Sequence, residues 1–170
     1  VLDAHDTWFG PTDVCLGPDG SIYVSDFYDA RTAHPDPDAS WDLDNGRIYK
    51  IEATDSEHVE PFDLAKLSSS ELVDLLSHHN HWYRDRARVE LAQRQDQSIV
   101  ERLREMAIQA NDAQLALQGL WAHYATVGLD EPLALQLLDH PNPYVRFWAV
   151  RLLGDEGKVG RLQAEKLAWL

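Results

Sequence analysis

Six aspartates fall between Asp26 and Asn45, in the run DFYDARTAHPDPDASWDLDN. Carboxylate oxygens are the hard ligands that Ca²⁺ takes. Asp36, Asp38, Asp42 and Asp44, with Ser40 among them, sit at alternate positions, as EF-hand ligands do. An EF-hand also needs a sharp-turn Gly at its sixth place and a bidentate Glu at its end. Trp41 and Arg47 stand at those places, so this is not an EF-hand. A structural Ca²⁺ site on Asp36, Asp38, Asp42 and Asp44 is one reading of the run. The other is a capping loop, in which Asp-Pro and Asp-Asn-Gly shape the backbone through Asx turns and no ion is required.

Two further clusters carry chemistry. His78-His79-Asn80-His81 offers imidazoles, which are common Zn²⁺ ligands. Adjacent histidines seldom converge on one ion, and a loop role is the simpler account. Arg84, Arg86, Arg88, Arg94, Arg102 and Arg104 make a locally basic stretch on which an acidic partner could dock. Interleaved acids, with Arg86 and Glu90 four residues apart, favour a salt-bridged surface instead.

The elements that position these residues change character along the chain. Residues 12–16, 21–25 and 46–51 are short runs rich in β-branched and aromatic residues, and Gly17-Pro18-Asp19-Gly20 supplies a tight turn between the first two. A weaker run, His58–Phe62, predicts a fourth strand, with Pro61 confined to an edge. Ile22 and Val24 point one way and Tyr23 the other, so the sheet should be sandwiched between neighbours. Cys15 in the first strand reads as a small buried hydrophobe. From Ser68 the apolar spacing becomes helical. Leu75–Arg84 aligns with Leu137–Arg146 at an offset of 62, and Asn111 lies midway, implying three helix pairs of period near 31 with each Asn capping a second helix. In this alignment His79 and His81 are matched by Pro141 and Pro143, which argues against a metal there. Trp82, Trp121 and Trp148 fall on the second helices, where they should pack between pairs. A further helix is expected from about Val159. The apolar end, Leu167–Leu170, offers no polar cap, so the chain is expected to continue.

The run PTDVCLGPDGSIYVSDFYDA followed by WDLDNGRIYKI resembles a blade of the six-bladed β-propellers related to soluble glucose/sorbosone dehydrogenases. It is most similar to the propellers of the membrane-bound dehydrogenase-like proteins of planctomycete-type bacteria. The helical part resembles short HEAT-like repeats, although the middle repeat lacks the second-helix Arg found at Arg84 and Arg146. The resemblance implies a four-stranded antiparallel propeller blade over 1–62, a link at 63–67, and a HEAT-like α-solenoid over 68–170. It also implies a periplasmic or otherwise extracytoplasmic parent that oxidises a sugar or alcohol, with a quinone-type cofactor or haem c elsewhere in that parent. The loop after the second strand would then face the pocket. Asp26, Tyr28 and Arg31 become candidates for cofactor binding, with His34 as general base and Asp29 or Asp36 orienting it. One blade is a sixth of such a site, so these residues alone are not expected to catalyse. The helical repeats are then a scaffold or protein-binding arm. The alternatives are a non-catalytic interaction module and a Ca²⁺-stiffened propeller rim.

Composition bounds these readings. The 170 residues carry a formal charge of −14, of which residues 1–66 contribute −11. A pI near 4.8 argues against a nucleic-acid duty, since phosphate binding needs a basic face. No apolar stretch is long enough to cross a membrane.

Overall fold

The computed structural model describes residues 3–30, 42, 44–56, 58–157 and 159–169. The chain divides into two compact units, Val1–Pro61 and Phe62–Leu170.

The first unit is a three-stranded antiparallel sheet in the order β1 (Pro11–Leu16), β2 (Ile22–Asp26), β3 (Arg47–Ile51). The β1–β2 turn closes through the Gly17 amide on the Ser21 carbonyl at 2.8 Å, and Gly20 takes φ +79°, which a side chain would resist. Asp19 in this turn accepts from the Ser21 amide at 3.0 Å and pairs with Lys50 of β3 at 2.8 Å. The Lys50 ammonium and the Ser21 amide hold the Asp19 carboxyl down at about 2. The hairpin turn is thereby tied to the third strand.

A four-stranded propeller blade is therefore not what forms. His58–Phe62 carries no regular structure, and the sheet ends at β3. Pro61 has no amide to donate, and Val59 is the single apolar residue between Ser56 and Pro61, too little to register a strand. Phe62 instead belongs to the second unit, where its ring lies 5.5 Å from those of Trp82 and Tyr83.

The ladder keeps the alternation expected above, with Ile22 and Val24 on one face and Tyr23 on the other. Val14, Val24 and Tyr49 are cross-strand partners, as are Leu16, Ile22 and Ile51, so these six share one face. The opposite face carries Asp13, Cys15, Tyr23, Ser25, Ile48 and Lys50. Tyr23 packs its ring on the turn: a Cβ on Gly17 would stand 2.7 Å from it. Cys15 is exposed rather than buried, because among the described residues little covers its face of the sheet, which also leaves Ile48 exposed.

The second unit is a run of helical hairpins: α1 (Ser69–Leu75) with α2 (His81–Arg94), α3 (Val100–Gln109) with α4 (Ala113–Val127), and α5 (Glu131–Leu138) with α6 (Pro143–Glu156), followed by α7 (Arg161–Leu167). The residues 63–67 are part of this unit. Leu64–Lys66 form a short 3₁₀ turn, and Leu64 and Leu67 pack on the core of Leu72, Val73, Leu76 and Leu91. Ser68 and Glu71 form a reciprocal capping box that starts α1. Second helices pack on one another in the order α2, α4, α6, while α5 packs between α3 and α7.

The 62-residue offset is a structural repeat down to single bonds. Asn80 and Asn142 cap α2 and α6 through the amides of Trp82 and Tyr144, each at 2.9 Å. His78 Nδ1 accepts from the Asn80 amide at 3.0 Å, and His140 Nδ1 accepts from the Asn142 amide at 3.1 Å. Arg84 donates to the His78 carbonyl and Arg146 to the His140 carbonyl, both at 2.7 Å. In the middle pair the cap is Asp112, not Asn111, with its carboxylate accepting from the Gln114 amide at 3.1 Å. The one-residue displacement puts buried Ala116 where the other repeats have Arg.

Candidate functional site

The front loop was the first candidate, and its described residues are occupied in holding the backbone. Asp26 is buried at the end of β2, and its Oδ1 accepts from the amides of Gly10 and Tyr28, both at 2.9 Å. Its Oδ2 is buried and, among the described residues, has no hydrogen-bond partner. Tyr28 takes φ 45°, with its ring 5.8 Å from Trp8 and the Arg47 guanidinium 4.4 Å above it. Asp29, also buried, accepts from the Asp42 amide at 3.2 Å. Asp42 in turn accepts from the amides of Asp44 and Asn45 and from the Asn45 side chain, at 2.8–3.2 Å. The Asn45 side chain, followed by these amides, holds the Asp42 carboxyl below its usual range. This is the Asx-turn arrangement, built by Asp-Leu-Asp-Asn-Gly itself. Arg31, His34, Asp36 and Asp38 lie outside the described residues. Among the described residues no group of three or more His, Cys, Asp or Glu is placed to hold a metal ion.

The histidine cluster is likewise committed to structure. His78 caps its own turn as described, and its ring lies 4.2 Å from Tyr83 and 4.4 Å from His79. The basic stretch is paired differently from its spacing. Glu90 meets Arg94 at 4.0 Å rather than Arg86. Arg94 also donates to the Leu67 and Ala65 carbonyls at 2.6 and 2.9 Å. Arg84 is spent on the His78 carbonyl. Arg102 bonds Ser70 and Asp74 of α1, Arg104 bonds Asp130 at 3.2 Å, and Lys166 bonds Asp139. The cations of the first-helix layer therefore bridge to acids of that layer or its caps.

The second-helix layer is where side chains of one character come together. Positions two, six and nine after each N-cap lie on one helix face, because they are separated by four and three residues. They are Trp82, Arg86 and Val89 on α2; Gln114, Gln118 and Trp121 on α4; Tyr144, Trp148 and Arg151 on α6. None of the nine is acidic, although exposed Asp155, four residues after Arg151, continues the same face of α6. Arg88, one turn from Arg84, reaches across to α4: it donates to buried Gln118 at 2.6 Å and stands 5.2 Å from the Trp121 ring. Trp121 meets Trp148 edge-on at 5.0 Å, as expected for tryptophans packing between pairs. Arg151 lies 4.8 Å over Trp148, with Phe147 at 6.1 Å on the same ring. An alternating Arg–Trp–Trp–Arg row thus runs across three helices. Tyr144 and Phe147 remain 67% and 59% exposed beside it, too open for core residues of that size. Arg86 and Arg151 are exposed and, among the described residues, have no carboxylate partner.

Sequence reasoning placed the tryptophans but missed the face. The signal was present in the repeat alignment: the three N-caps fix equivalent positions, and reading across them brings Trp121, Trp148 and Arg151 to one face.

One titratable group inside this unit is functionally silent but affects stability. His123 on α4 is buried, with Nδ1 3.1 Å from the Gly128 carbonyl. Burial pushes its pKa below the ordinary 6.5. The unfolded chain then binds the proton more readily, so stability is complete above about pH 6.5 and falls as the pH drops below it. Thermal melts followed by helical circular dichroism should give a lower Tm at pH 5.5 than at pH 7.5. His123→Gln should flatten that slope; a slope that survives the substitution has another source.

The fold is a small antiparallel sheet module joined in sequence to an array of helical hairpins. Residues 1–55 match the model of a domain family of unknown function, DUF7133. No curated protein matches the chain, and no solved structure matches it either. No described helix is long and apolar enough to cross a membrane.

Proposed function

We propose that the helical unit is a protein-binding arm, and that its working surface is the outer face of α2, α4 and α6. The observation that carries this reading is the row Arg88, Trp121, Trp148 and Arg151, with Tyr144 and Phe147 exposed beside it. Protein interfaces concentrate binding energy in Trp, Tyr and Arg, and their centres are depleted in Lys, Glu and Asp. Stacked helical repeats suit this role because each repeat adds one row to a continuous surface. The face needs no catalytic group, in keeping with a scaffold or interaction module.

Site-specific cross-linking tests the reading. A photo-reactive residue in place of Gln114, at the middle of the face, should yield one or a few discrete protein adducts in extracts of the cells that make the protein. The same residue in place of exposed Glu105 on α3 should not. Equal, diffuse labelling from both positions would remove the second-helix face as a docking surface.

A further inference from the structure

We propose that Asn45 is a modification site, where the Gly46 nitrogen converts the side-chain amide through a cyclic imide into aspartyl and isoaspartyl forms, at a rate restrained by Asp42. Asn45–Gly46 is the one Asn-Gly pair in the chain. Glycine has no Cβ to shield its nitrogen and turns freely, so that nitrogen can reach the preceding side-chain carbonyl carbon. Both residues are exposed to the water the reaction consumes. Among the described residues the Gly46 amide donates to no acceptor, so no hydrogen bond must break before its nitrogen attacks. The step balances with water as co-reactant. The Gly46 nitrogen gives its proton to solvent and bonds to Asn45 Cγ. The Cγ–Nδ2 bond then breaks, and Nδ2 takes a proton from water and leaves as ammonia. Water opens the imide at either carbonyl, giving aspartate from one side and isoaspartate from the other. Nothing is oxidised or reduced.

The related pair Asp19–Gly20 is protected where Asn45–Gly46 is not. The Gly20 amide donates to the Gly17 carbonyl at 3.1 Å, and the Asp19 carboxylate is held by Lys50 and the Ser21 amide. An ionised carboxylate also lacks a leaving group comparable to ammonia. Asn45 has one restraint, the Asp42 carboxylate, to whose two oxygens Nδ2 donates at 2.9 and 2.8 Å. This clamp holds the leaving nitrogen. It also sets a negative charge beside the carbon on which negative charge must build, and like charges so close disfavour each other. The product undoes the turn that delays it. A carboxylate at position 45 has no hydrogen to donate to Asp42 and is repelled by it. Isoaspartate also adds a backbone carbon just ahead of Arg47, the residue that pairs with Asp26 at the start of β3. Extra backbone at the entry to a strand disrupts the ladder locally, as a bulge does.

The test incubates the intact chain, and separately a synthetic peptide of residues 44–51, in mildly alkaline buffer at body temperature. Peptide mass mapping and isoaspartyl-specific enzymatic methylation follow the product over days. Both samples should show the amino group of Asn45 replaced by hydroxyl, with isoaspartate present, and the folded chain should convert more slowly than the peptide. In Gly46→Ala the new Cβ would stand an ordinary 3.5 Å from the Asp26 carbonyl oxygen, so the variant fits the fold. It should slow conversion about tenfold, the rate equivalent of a modest rise in the barrier. Asp42→Asn keeps an acceptor for the Asp44 and Asn45 amides but loses the charge and the second oxygen. It should convert faster than the unaltered chain and approach the rate of the peptide. Circular dichroism matching the unaltered chain guards both variants against misfolding. A chain left unconverted while the peptide converts would overturn the proposal, and so would conversion indifferent to Gly46→Ala. An Asp42→Asn chain no faster than the original, or an original chain as fast as the peptide, would remove the restraint assigned to Asp42.

Discussion

Leu120→Ala is expected to destabilise the helical unit by about 2–5 kcal/mol, the range for truncating a fully buried leucine. Leu120 is completely buried in the larger of the unit's two cores, together with Ala116, Leu117, Leu133, Leu137 and Leu153. It sits on α4, which packs against α3 within its own hairpin and against α2 and α6 on either side. Removing three carbons there leaves a cavity that four helices would have to close together, and close packing resists such collapse. In a helical-repeat array, stability is a sum of repeat and interface contributions, and a central repeat takes part in two interfaces. The melting temperature followed by circular dichroism should fall by about 10 °C or more, given roughly 4–8 °C per kcal/mol for a unit of this size. A loss under about 1 kcal/mol would mean the hairpins melt independently and α4 is not their common core.

The neighbouring position should fail in the opposite way. Gly119→Ala would, on helix propensity alone, stabilise an exposed helix by about 1 kcal/mol. Here a Cβ would stand 2.7 Å from Met106 Cβ, 2.9 Å from the Ala107 nitrogen and 3.0 Å from the Leu103 oxygen. Two of these are backbone atoms and the third is the first side-chain carbon, so no rotamer change can clear them. The α3 and α4 axes must separate, and overpacking of this kind costs about 1–3 kcal/mol. Gly119→Ala should therefore be destabilising by about 1 kcal/mol net, and Gly119→Val by about 3 kcal/mol, since the stiff branched side chain cannot retreat. Chemical denaturation monitored at 222 nm separates these outcomes. A stabilised Gly119→Ala would show that the α3–α4 contact is looser than its atoms indicate. The close approach also explains the middle repeat, which lacks the arginine of its neighbours yet packs tightly: the glycine seat and buried Ala116 let α3 and α4 meet directly.

Both predictions concern residues whose helical setting was readable early, whereas their consequences were not. Leu120 was visible as one of a periodic set, but periodicity marks a face and not the depth to which that face is covered. Gly119 carries no pattern of its own. The same limit appears in the front unit. The Gly17–Gly20 turn and the strands around it followed from local backbone preferences, and they are present. The fourth strand at His58–Phe62 was inferred by continuing the series and by resemblance to a propeller blade. Nothing in those five residues could hold a register, and Phe62 packs with Trp82 and Tyr83 instead. Cys15 has a strand-like setting, yet its exposure depends on whether another strand covers β1, which is a non-local question.

Charge pairing was legible in kind and wrong in detail. Arg86 and Glu90 have good helical spacing, but Glu90 has a second neighbour at the same distance in sequence, Arg94, and takes it. Among the described residues, Arg86 then has no carboxylate partner. The Asp-rich loop divides in the same manner. Its Asp42–Asn45 end was readable as an Asx turn because every bond in it is made within three residues. Asp29 accepting from the Asp42 amide spans thirteen residues and could not be read from spacing.

The sequence by itself determined the caps Asn80 and Asn142, the hairpin turn and the 62-residue repeat, because each depends on groups a few residues apart whose geometry the backbone dictates; the middle cap, Asp112 and not Asn111, was missed by one residue. The Arg–Trp–Trp–Arg row, the seat for Gly119, the end of the sheet at β3 and the burial of His123 were decided by tertiary structure alone. Each requires knowing which helices or strands are neighbours and how closely they approach. That is set by the summed packing of many side chains, not by the preference of any one segment.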